Sequence, residues 1–134
     1  MTPESASSPR APHHPRFSPL LASFGYAFQG IAWAARTQRN WRIHVVAAAL
    51  AIVLAFALRV SPVEFAVLAL TIALVLALET MNSALEATID ALAQPPSEPA
   101  RHAKDAAAGS VLIAALLSLV VAVAIFGPRL LNLH

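Results

Sequence analysis

The chain reads as an all-α integral membrane protein: an N-terminal amphipathic surface helix followed by three transmembrane helices, assembled as an oligomer. Three observations predict this. Hydrophobic residues make up 58% of the chain and charged residues only 12%, whereas roughly 25% of residues are charged in a soluble domain. Three long apolar runs are each closed by proline or glycine, and the residues ahead of them carry apolar side chains at helical spacing. The mean hydropathy of +0.68 agrees. With 134 residues there is room for one domain, and three spans are too few to enclose a large cavity, so several copies are expected to share the work.

Residues 1–18 contain Pro3, Pro9, Pro12 and Pro15 among serines, with no apolar stretch. This composition predicts a disordered tail, in which His13 and His14 are solvated rather than metal-bound. The tail has no apolar core of a signal peptide, so insertion is expected to use the later spans. The membrane domain then runs from 19 to 134. Over 20–40, Leu20, Leu21, Phe24, Ala27, Phe28, Ile31 and Ala35 recur at helical spacing, which predicts the surface helix. Gly25 and Gly30 weaken it in isolation, so the interface or the spans must hold it. Trp33 and Trp41 flank its end, suiting the headgroup layer and plain packing equally.

The first span is expected at about 43–60, broken by Ser61-Pro62. The second, about 63–93, is apolar to Leu78 and then more polar, until Gln94-Pro95-Pro96-Ser97 stops it. The third, about 104–126, is closed by Gly127-Pro128. A hydrocarbon core of ~30 Å needs ~20 helical residues, which the third span meets and the first barely reaches.

Arg10, Arg16, Arg36, Arg39 and Arg42 precede the first span, and Arg101 and Lys104 lie between the second and third. Arg59 and Arg129 are on the other side. The positive-inside rule therefore places the N-terminus in the cytoplasm of a multi-pass protein of the cell's cytoplasmic, or inner, membrane. This location accounts for the basic surplus, with no nucleic acid as partner. The absence of cysteine excludes disulfides and thiolate metal sites.

Glu79, Asn82, Glu86 and Asp90 are spaced by three, four and four residues, which puts them on one helical face. Glu79 lies sixteen residues beyond Val63, or roughly 24 Å at helical rise, and so near the inner interface. Lys104, the chain's only lysine, and Asp105 open the third span on the same side. Acids, an amide and a cation at one membrane edge can handle a metal-bound phosphate. A bland account also exists: Glu79 pairs with Arg42 across helices, Asn82 bonds between helices, and Glu86 and Asp90 are a solvated helix end.

Leu78-Glu79-Thr80-Met81-Asn82-Ser83-Ala84-Leu85-Glu86-Ala87-Thr88-Ile89-Asp90 resembles the Glu-x-x-Asn-Thr/Ser-Ala-x-Glu-x-x-x-Asp signature of the small prokaryotic diacylglycerol kinase and undecaprenol kinase family. Ala103-Lys104-Asp105 resembles the motif opening that family's last span. Residues 23–31 and Asn40-Trp41-Arg42-Ile43-His44 are similar to its surface helix and the approach to its first span, the latter closer to the undecaprenol-kinase branch. The resemblance covers about residues 20–127. It implies a homotrimer with shared sites that transfers the γ-phosphate of ATP to a lipid hydroxyl, of diacylglycerol or undecaprenol, using Mg²⁺. It also implies that Glu79 is the base at the lipid hydroxyl and Glu86 a metal ligand. Asn82, Asp90, Lys104 and Asp105 would hold nucleotide or substrate.

One position departs from the family. A second metal-ligand glutamate is usual two residues before Asn40, where this chain has Gln38. An amide oxygen can ligate Mg²⁺ but adds no charge, so weaker metal binding is expected. Two other classes compete. A small multidrug-type transporter requires a carboxylate near mid-bilayer, which the depth of Glu79 disfavours. A noncatalytic scaffold explains the spans but leaves the facing acids and Lys104 without a purpose.

Overall fold

The computed structural model describes residues 19–92 and 97–131. The tail with His13 and His14, and the expected stop at Gln94-Pro95-Pro96, lie outside the described residues. All regular structure among the described residues is helical: α1 (Pro19–Thr37), α2 (Arg39–Ala57), α3 (Pro62–Leu92) and α4 (Glu98–Leu131). The last three are each long and apolar enough to cross a membrane. This is a membrane protein. α4 packs chiefly on α3, α2 also packs on α3, and α1 touches both α2 and α3.

Large apolar side chains remain exposed along every helix, among them Phe28, Leu50, Val63, Leu70 and Val123. In water this would be untenable; in a bilayer these side chains meet hydrocarbon or neighbouring copies. The buried apolar cluster is small, formed by Ala55, Leu68, Ile125 and Phe126. It sits where α2 ends, α3 begins and α4 ends. A bidentate pair clasps the same end, with Arg129 donating to Glu64 at 2.6 and 2.9 Å.

The tight turn between α2 and α3 is built from local chemistry. Val60 N–H donates to Ala55 O at 3.1 Å and Arg59 N–H to Phe56 O at 3.2 Å, the paired bonds of a Schellman ending. Such an ending needs a left-handed residue, and Arg59 supplies it at φ 49°. Ser61 and Glu64 then form a reciprocal capping box at the start of α3, at 2.8 and 3.3 Å. Because glycine adopts positive φ without a Cβ penalty, Arg59→Gly should stabilise the fold by about 1 kcal/mol. Thermal unfolding in detergent checks this; a lower midpoint would mean that the Arg59 side chain itself holds the turn.

Two boundaries differ from the sequence reading. Lys104 and Asp105 lie within α4, not at its entrance, because Ser97 caps a helix that begins at Glu98. Its Oγ accepts from Ala100 N–H at 3.3 Å, with Pro99 in the first turn. At the other end, Gly127-Pro128 does not close the helix, which continues to Leu131. Proline sacrifices one ladder bond in the last turn. There the Arg129 guanidinium adds a donor to Ile125 O at 2.7 Å.

Candidate functional site

The buried polar residues lie away from the apolar cluster, toward the other end of α3. Glu79 is 3% exposed, Asn82 8% and Ser83 1%, all on α3. Ser83 Oγ donates to Glu79 O at 2.8 Å, so its hydroxyl is satisfied within the helix. Asn82 Oδ1 is buried with no hydrogen-bond partner. An orphaned acceptor of this kind costs about 1–3 kcal/mol. A donor brought by a ligand or a neighbouring copy would relieve that cost.

α2 is pinned against this stretch. Trp41 Nε1 donates to Thr80 Oγ1 at 3.2 Å, and that hydroxyl donates to Leu76 O at 2.7 Å. The bond sets the register of two antiparallel helices beside Glu79. His44, one turn along α2 from Trp41, is half-buried and within electrostatic reach of Glu79. Arg42 is exposed and forms no ion pair with Glu79, so the pairing that would have made Glu79 merely structural is absent.

Glu86 lies within electrostatic reach of both Glu79 and Lys104. Lys104 Nζ donates to Asp90 Oδ1 at 2.8 Å, joining α4 to the C-terminal end of α3. Glu79, Glu86, Asp90 and Lys104 thus form a line from buried carboxylate to exposed ion pair. Asp105 is not part of it. Adjacent helical residues point ~100° apart, and Asp105 instead meets Arg101 at 3.6 Å, both well exposed.

Gln38 sits at the junction of α1 and α2 as the N-cap residue of α2, yet its side chain makes no capping bond. The amide is therefore unspent, but no hydrogen bond joins it to Glu86. No group of three or more His, Asp or Glu able to hold a metal occurs among the described residues. The Glu86 carboxylate, with the Asn82 amide one turn away on α3, offers hard oxygen donors of the kind that hold a cation jointly with phosphates, which is how Mg²⁺ is commonly bound.

Sequence reasoning missed Trp41–Thr80, His44 and Ser83. The sequence suits Trp41 equally to the headgroup layer and to packing, and its helix-to-helix bond carries no sequence spacing. His44 was visible only as part of a motif.

Comparison with known proteins gives the site its context. Residues 25–126 match the family model described as prokaryotic diacylglycerol kinase. A diacylglycerol kinase of Synechocystis is 44% identical over 115 residues, covering 85% of this chain; the chain spans 66% of that protein's length. An undecaprenol kinase of Bacillus subtilis is 35% identical over 118 residues, covering 88% of this chain and 96% of the relative. A diacylglycerol kinase of Escherichia coli is 31% identical over 104 residues, covering 78% and 85%. Every residue of the line from Glu79 to Lys104 falls inside the matched region, and the chain belongs to the prokaryotic diacylglycerol kinase family, a family of membrane lipid kinases.

Proposed function

We propose that this lipid kinase transfers the γ-phosphate of ATP to the hydroxyl of diacylglycerol or undecaprenol, at the cytoplasmic surface of the inner membrane. The observation that carries the proposal is a buried carboxylate, Glu79, one turn from a buried and unpartnered Asn82 Oδ1, at the edge of an apolar bundle. A membrane-embedded hydroxyl meets Glu79 from the hydrocarbon side, and a nucleotide meets Glu86 and Lys104 from the water side.

Phosphoryl transfer asks mainly for positioning and charge neutralisation. Glu79 accepts the hydroxyl proton as the lipid oxygen bonds to phosphorus and ADP departs. Lys104, steered by Asp90, neutralises phosphate oxygens as a point charge. Asn82 offers its orphaned oxygen to a substrate donor. Asp105, on the exposed side with Arg101, acts at the nucleotide's periphery. Glu86 and Gln38 would hold Mg²⁺, which would supply charge neutralisation to the nucleotide phosphates. A trimer with sites shared between copies accords with the small buried core and the extensive apolar surface.

Gln38 provides the test. If it lies at the metal, Gln38→Glu should lower the magnesium concentration for half-maximal lipid phosphorylation, because a second anionic oxygen tightens a hard-cation site. Glu86→Gln should raise it further than Gln38→Glu lowers it. Activity is measured against magnesium at fixed ATP in nanodiscs. An unchanged magnesium dependence in both variants, with the fold intact, would remove these residues from the metal.

A further inference from the structure

An apolar cavity of about 160 Å³ runs between α2, α3 and α4, from His44 at one end toward Leu68 and Ala122. Its other polar lining groups are Thr71 and Ser118. Their hydroxyl hydrogens are committed, to Val67 O and Ala115 O at 2.7 Å each. The His44 imidazole makes no hydrogen bond. It is therefore the uncommitted donor on the cavity wall, and it stands at the end nearest Glu79.

The helix register explains that position. Trp41 bonds Thr80 across the α2–α3 interface. One turn further along α2 is His44, and one turn back along antiparallel α3 is Leu76; both line the same end of the cavity. Glu79, next to Thr80 on α3, lies within electrostatic reach of the imidazole.

We infer that His44 is a binding residue for the lipid alcohol, donating a ring N–H to the hydroxyl oxygen at that end of the cavity so that the hydroxyl hydrogen points at Glu79. This rests on the lipid-kinase reading above. The hydroxyl has one hydrogen and two lone pairs. With the hydrogen given to Glu79 and one lone pair accepting from His44, the second lone pair faces the γ-phosphorus. The new O–P bond forms, the bond from phosphorus to the β-bridging oxygen breaks, the proton passes to Glu79, and ADP leaves. The imidazole keeps its protons throughout. Its task is to fix the direction of the attacking lone pair, a matter of orientation rather than proton transfer.

Kinetics and spectroscopy together test this. His44→Ala should lower kcat/KM for the lipid by ~10-fold or more, the scale of one lost hydrogen bond at a reacting centre, while KM for ATP stays unchanged. His44→Gln, whose amide still donates, should recover part of the loss. In the wild-type protein, the lipid alcohol should shift the imidazole nitrogen NMR signals that vanish in His44→Gln. The deoxy analogue, with hydrogen in place of the hydroxyl, should not. Equal shifts with both lipids, or none with either, would overturn the inference. So would equal damage to lipid and ATP kinetics in the alanine and glutamine variants, which marks a packing role. An alcohol-specific shift without any phosphate transfer by the wild type would support the contact and contradict the kinase reading instead.

Discussion

Glu79→Gln is expected to cut lipid phosphorylation by ~10²-fold or more while leaving the protein inserted and assembled. The substitution is nearly isosteric and removes only the proton acceptor. Glu79 makes no ion pair that the change would break, and its backbone carbonyl keeps the bond from Ser83. Neutralising a buried carboxylate also removes a desolvation cost, so stability should hold or rise. Near-normal turnover in properly folded protein would remove Glu79 from the mechanism. A lower unfolding midpoint would instead give the carboxylate a structural role.

Lys104→Met should raise KM for ATP by ~10-fold or more, the scale of a lost charge-assisted hydrogen bond, without preventing insertion. The methionine retains much of the stem volume. The comparison that separates two roles is Asp90→Asn. If Lys104 merely anchors the end of α3, both variants break the same 2.8 Å pair and behave alike. If Lys104 serves the phosphates, its loss is far the more severe, since Asp90→Asn leaves the cation in place. Unchanged ATP affinity in Lys104→Met would reduce Lys104 to a topological anchor.

The long apolar helices were legible because a bilayer imposes length and composition that a sequence displays directly. The shared face of Glu79, Asn82, Glu86 and Asp90 was legible for a similar reason: helical spacing alone determines it. The start of α4 was not, because the apolar run begins late whereas the helix begins at its cap, Ser97. Nor was its end, where Pro128 looked like a stop but lies in a last turn that tolerates it. Lys104 and Asp105 are neighbours in sequence, yet a helix turns them apart, so one meets Asp90 and the other Arg101. The place of His44 depended on how α2 docks against α3, where the Trp41–Thr80 bond is one that no periodicity announces.

The most direct test follows labelled phosphate from the γ-position of ATP into extracted lipid, with diacylglycerol and undecaprenol offered separately to the full chain in nanodiscs. The account predicts that label appears in a lipid phosphomonoester, depends on magnesium, and is lost in Glu79→Gln. Label that appears only as free phosphate, or in neither lipid at any magnesium concentration, would contradict it.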